Sequence, residues 1–188
     1  MLASADIVFP FCVRELHPVD WNFVQSSLHE GNMSVRTLSV AERLRADSVE
    51  NGYVVTPMLL LKLAYIAHGY MLAKHDQPLL DENVEAWQYG PVVPSIYHAL
   101  KKFGNQPVDG VPGAEGNFNF SDNESATIRD VARDYGKYRA TLLSSATHVD
   151  GTPWHVVWNA GGKSAPIPDA LIRDFYLGIL KSPKHSSL

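Results

Sequence analysis

Apolar residues between Thr56 and His75 do not keep to one stripe of a helix: Leu59, Leu60, Leu63, Ile66, Ala67, Tyr70 and Met71 cover most of its circumference. A helix that is apolar nearly all round has to be wrapped by other elements, so this segment is predicted to be the central helix of the core. Thr56 suits an N-cap, and Pro57 suits the first helical position, where proline has no needed N–H to lose. Gly69 in the interior costs about 1 kcal/mol relative to alanine, which predicts close approach of another backbone at that point.

The flanking pattern is amphipathic and more broken. Ser39 and Glu42 have capping-box spacing and predict a helix from about Val40 to Val49, closed by Asn51-Gly52. Alternation from Val84 to Tyr89 predicts a short strand or extended arm with Glu85, Trp87 and Tyr89 on one side. Gly90-Pro91, with Pro94 shortly after, defines a sharp turn, and Pro94 begins a helix to about Phe103 that Gly104 stops. Pro107 to Gly116 is a loop by composition, and Phe118-Asn119-Phe120 suggests a further short strand. Ser121 and Glu124 form a second capping box, heading a helix that buries Ile128, Val131 and Tyr135 and ends at Gly136. Leu142 to His148, then Thr152-Pro153-Trp154, read as a helix, a turn and a new helix start. Gly161-Gly162 breaks that helix, and Ile167-Pro168-Asp169 opens a last one with Leu171, Ile172, Phe175, Tyr176 and Ile179. The expected fold is mainly α, a single compact helical domain with a minor short β element. Its boundaries are expected at 33–181, preceded by an N-terminal extension over 1–32, poorly structured or appended, and followed by a flexible tail over 182–188. An upstream start codon is one source of such an extension.

Composition narrows the functional classes. With 16 Lys+Arg against 20 Asp+Glu the net charge is −4, so no overall positive field gathers phosphate backbones. The one cysteine, Cys12, rules out an intrachain disulfide and a cysteine-built zinc site, and suits a reducing cytoplasm. The apolar run Ile7 to Val13 follows Asp6 rather than a basic segment and is interrupted by Pro10, unlike a secretory signal. The apolar tract Met58 to Met71 holds Lys62 and His68 and is shorter than the roughly 20 residues of a membrane span. A cytoplasmic protein without a membrane partner is expected.

Several side chains carry possible chemistry, each with a plainer structural reading. Ser144, Ser145, His148 and Asp150 supply the ingredients of a hydrolase triad, but they lie within seven residues and lack a nucleophile elbow. The plainer reading has Thr147 and His148 tying a helix end against Trp154. His68, His148 and His155 lack metal-ligand spacing, so neither a metal nor a cofactor is expected. Lys101, Lys102, Lys137 and Arg139, with Arg36, Arg43 and Arg45, form either a DNA-binding regulator's patch or an ordinary solvated face. Lys62 in an apolar helix either reaches the surface or pairs in the core, with a carboxylate such as Glu85 as the expected partner. Trp87, Tyr89 and Tyr97 around Gly90-Pro91 are either core aromatics or the anchors of a partner interface.

Three strings in order carry a family resemblance: Leu61 to Gly69, Glu85 to Tyr97, and Leu143 to His148 followed by Pro153-Trp154. From about Leu38 to Tyr176 the chain resembles the Panacea domain, a family of SocA-like antitoxins and phage-associated proteins. It departs mildly at His68, where members often have Gln, and in the extra Gly151-Thr152. The resemblance implies a non-enzymatic antitoxin of a toxin–antitoxin system, with a cognate protein toxin encoded nearby and a Clp-type protease as partners. The candidate partner-binding residues are Lys62, Tyr65, Trp87, Tyr89, Gly90, Pro91, Val92, Pro94 and Tyr97. His68, Gly69, Thr147, His148, Pro153 and Trp154 are candidates for the structural motif.

Overall fold

Helix α2 (Pro57–His75) runs through the middle of the fold, and every residue from Leu59 to Leu72 is buried. Thr56 caps it, its hydroxyl accepting from the Leu59 N–H at 3.4 Å, and Asp76 ends it in the left-handed conformation. These are features of a computed structural model that describes residues 34–182. The expected extension over 1–32 and, apart from Ser182, the expected tail lie outside the described residues.

Four helices wrap α2: α1 (Val35–Glu50), α4 (Asp122–Tyr135), α5 (Ala140–Thr147) and α7 (Asp169–Leu180). Two shorter ones, α3 (Pro94–Leu100) and α6 (Pro153–Asn159), complete the helical shell. Three short strands, β1 (Val84–Trp87), β2 (Gly90–Val92) and β3 (Pro166–Ile167), form an antiparallel sheet in the order β2-β1-β3. The fold is therefore mainly α with a small sheet, as the hydrophobic pattern predicts. Among the described residues no helix is long and apolar enough to cross a membrane.

Several local expectations need correction. Ser39 does not cap α1: the helix begins five residues earlier than expected, at Val35, with Ser34 as N-cap. Ser39 is buried inside it, its hydroxyl donating to the Val35 carbonyl and accepting from the Glu115 N–H. Glu42 accepts from the Val111 N–H, so the supposed capping box instead pins the 107–116 loop. Phe118 to Phe120 is not a strand; its two rings lie against each other at 4.9 Å. The helix from Pro94 tightens to a 3-10 turn over Lys101–Phe103 before Gly104. Close packing at Gly69 comes from the Tyr176 ring rather than from a backbone. Strand β3 is too short to leave a period in the sequence.

Candidate functional site

The strands β1 and β2 pair Trp87 with Gly90, so Gln88 and Tyr89 form a two-residue hairpin loop. Gly90 has φ +104°, a conformation that side chains other than glycine's disfavour. The backbone of this loop is gripped from below by three elements. From α2, Lys62 Nζ donates to the carbonyls of Tyr89 at 2.9 Å and Pro91 at 3.1 Å. From α5, Ser144 donates to the same Tyr89 carbonyl at 2.9 Å. From α6, the Trp154 indole N–H donates to the Trp87 carbonyl at 2.7 Å.

The helix junction that delivers these groups is itself tied. Thr152 caps α6 by accepting from the His155 N–H, and its hydroxyl donates to the Thr147 carbonyl at 2.6 Å. His148 Nδ1 donates to the Ser144 carbonyl at 2.6 Å, and the ring rests against Trp154 with centroids 3.9 Å apart. Pro153 opens α6 and places Trp154 under the hairpin. His148 thus rests on Trp154 while Thr147 meets Thr152, and together they tie the end of α5 to α6 beside the hairpin.

Lys62 is 2% exposed. Its expected partner was a carboxylate such as Glu85, and that expectation is wrong. Glu85 Oε2 instead accepts from the Trp87 indole N–H at 2.7 Å, while Lys62 is held by backbone carbonyls. Burial lowers the Lys62 ammonium from 10.5 to about 7. A Cβ at position 90 would lie 2.7 Å from Lys62 Nζ and 2.8 Å from Thr147 Oγ1, so the glycine also makes room for the amine.

Above this rigid base the side chains divide. Tyr65, Pro91 and Val92 are buried with Lys62 and Gly90 as framework, and Pro94 is half-buried. Tyr89 is 65% exposed and Tyr97 37%. Trp87 is half-buried and meets the Tyr97 ring edge-to-face at 4.9 Å. Glu82 supplies the N-cap that α3 lacks, accepting from the Ser95 N–H at 3.2 Å and from the Ser95 hydroxyl. Burial raises the Glu82 carboxyl, and Asp81 and Glu85 push it the same way. Sequence reasoning missed the roles of Glu82 and Ser144. Thirteen and fifty-five residues separate them from their partners, and only the spacing of Thr147-His148 from Pro153-Trp154 hinted at the junction.

The triad ingredients do not assemble. Ser144 is committed to Tyr89, Ser145 donates to the Thr141 carbonyl, and Asp150 pairs with His155 Nε2 at 2.9 Å rather than with His148. We expect His148→Ala to lower stability by about 1–2 kcal/mol in denaturant unfolding, as for loss of a partly buried hydrogen bond and ring contact. Unchanged stability would refute the tying role. His68 accepts from the Leu80 N–H at Nδ1 and donates from Nε2 to Asp169 at 3.0 Å, joining α2 to the start of α7. The three histidines thus serve separate contacts, and among the described residues no cluster of metal-ligating side chains forms.

Among the described residues, five of the seven basic residues of the candidate DNA-binding patch are similarly engaged, Lys101 and Arg139 being the exceptions. Arg36 pairs with Glu124, Arg43 with Asp47 and Arg45 with Glu42, while Lys102 and Lys137 lie over the Phe103 and Tyr138 rings. A cavity of ≈ 20 Å³ beneath α5, bordered by Tyr65, Leu143, Thr147 and Tyr176, has room for about one water and none for a substrate.

A family model described as antitoxin SocA-like, Panacea domain matches residues 60–155, which contain the hairpin and the α5–α6 junction that grips it. The chain is also 27% identical over 162 residues to Antitoxin SocA of Caulobacter vibrioides (strain NA1000 / CB15N), an alignment covering 78% of this chain and 85% of that protein. No solved structure matches.

Proposed function

The chain belongs to the antitoxin SocA-like, Panacea domain family, and on that premise we propose that it neutralises a protein toxin by binding it directly through the face around the Trp87–Pro91 hairpin. One observation carries the choice of face: a buried lysine, a serine and a tryptophan all hold the hairpin backbone, yet its Tyr89 side chain stands 65% exposed. A pre-organised loop with an exposed aromatic suits association, because little ordering remains to be done on binding, and Tyr and Trp dominate interface hot spots. The role is non-enzymatic and cytoplasmic, carried by residues 33–181, and the toxin is encoded nearby. Masking the toxin, or handing it to a Clp-type protease, completes the mechanism. An interface of about 1,600 Å² in total is typical of such complexes.

Coexpression with the adjacent open reading frame tests this. The neighbour is expected to arrest growth alone and to be relieved by this chain. Tyr89→Ala, leaving the circular dichroism spectrum unchanged, is expected to weaken the complex about tenfold or more. A neighbour that is harmless alone, or that this chain does not relieve, ends the reading.

A further inference from the structure

Glu85 and Trp87 are two residues apart on β1 and so share one side of the strand. The indole N–H holds Glu85 Oε2 at 2.7 Å. This fixes the carboxylate at the edge of the ring, and among the described residues nothing bonds its second oxygen. The Tyr97 ring, 37% exposed, meets the half-buried indole at 63° with centroids 4.9 Å apart, making a corner of two aromatic rings beside one oriented carboxylate. Asp81 and Glu82 add negative charge close by, and no Lys, Arg or His among the described residues forms an ion pair with Glu82 or Glu85.

The rest of the fold shows what such rings do when a cation is at hand. Arg36 lies over Phe118, Lys74 over Tyr70, Lys102 over Phe103, Lys137 over Tyr138 and Lys163 over Trp158. Among the described residues Trp87, Tyr89 and Tyr97 carry no cation of the chain's own. The basic groups on the adjoining helix are His98, whose ring meets Tyr97 edge-on at 5.4 Å, and Lys101 and Lys102 at its far end.

We propose that Trp87, Tyr97 and the Glu85 carboxylate form a seat for an arginine side chain of the bound partner. The inference rests on the toxin-binding reading of this face and names the chemistry the face selects. A guanidinium is planar and weakly hydrated, so it can lie on an aromatic face while donating in its own plane to a carboxylate. An ammonium is compact and strongly hydrated, and matches only part of this arrangement. The net charge of −4 favours a cationic partner segment.

The test uses the full chain, nitrogen-15 labelled, titrated at low salt with a short capped peptide containing two arginines and with its two-lysine counterpart. The Trp87 indole N–H resonance, identified by its absence in Trp87→Phe, is the readout. The arginine peptide is expected to move it saturably, and the lysine peptide to bind about tenfold more weakly. Glu85→Gln retains an acceptor for the indole but loses the charge, and is expected to weaken the arginine peptide about tenfold with the other resonances in place. No saturable movement, equal binding of the lysine peptide, or undiminished binding by Glu85→Gln overturns the proposal. The two readings fail separately. If Tyr89→Ala destroys neutralisation while the arginine peptide leaves the Trp87 signal unmoved, the face binds but the arginine seat is wrong. If the peptide binds as expected while the neighbouring protein is harmless, the seat stands and the toxin reading falls.

Discussion

Lys62 is expected to add several kcal/mol to the stability of the folded chain as the pH climbs from about 7 toward 10. Tyr65, Tyr70, Tyr135 and Tyr176, all pushed upward by burial, act the other way once the unfolded chain's tyrosines ionise near 10. In the unfolded chain this lysine keeps its proton up to about 10.5, whereas burial in the fold releases it near 7. Between those values unfolding takes up a proton, so raising the pH favours the folded state, by about 1.4 kcal/mol for each unit of pKa difference. Below 7 both states are protonated, the full cost of the buried charge is present, and the dependence vanishes. The carbonyls of Tyr89 and Pro91 reduce that cost because each accepts from the ammonium. Denaturant unfolding of the natural chain and of Lys62→Met at about pH 6, 8 and 10 isolates the effect, since the other titrating groups cancel in the difference. The natural chain is expected to gain on the variant as the pH rises. A difference that stays constant would mean that Lys62 is charged throughout.

Gly69→Ala is expected to destabilise the fold by about 2 kcal/mol or more, although alanine is the better helix former by about 1 kcal/mol. The added Cβ would lie 2.7 Å from Tyr176 Cζ and closer still to Cδ2 and Cε2. That ring cannot swing clear. It is 3% exposed and meets Tyr70 at 5.0 Å and Tyr65 at 6.0 Å, both edge-to-face. Relief therefore requires α7 to move off α2, breaking into the buried set Ile172, Tyr176 and Ile179. Faster amide exchange across α7 should accompany the loss. A variant as stable as the natural chain would show that the tyrosine cluster repacks at little cost.

What was legible in the sequence was local. Thr56-Pro57, Asn51-Gly52, Ser121 with Glu124, and Thr152-Pro153 each mark a helix end through a hydrogen bond or a dihedral set within a few residues, and each is found in place. Where local signals misled, a distant partner had claimed the side chain. Ser39 and Glu42 have capping spacing, yet they reach across to Glu115 and Val111. Lys62 in an apolar helix reads as a cation that either reaches the surface or is compensated in the core. The core is where it lies, and the compensation comes from backbone carbonyls twenty-seven and twenty-nine residues away, which no residue type announces. Gly69 signalled close packing without naming the ring that supplies it.

The sequence by itself determined the helical class, the central place of the 57–75 helix and the family, because periodicity, capping and motif order are written in residue types and short spacings. Only the tertiary structure decided which aromatics reach solvent and what holds their loop. Tyr65 and Tyr89 are the same residue type, each inside a string that carries the family resemblance, yet one is 2% exposed and the other 65%. Burial is set by which elements close over a position: the Tyr176 ring of α7 packs on Tyr65, while α2, α5 and α6 reach only the backbone of the hairpin that carries Tyr89. These elements are far apart along the chain and brought together only by packing.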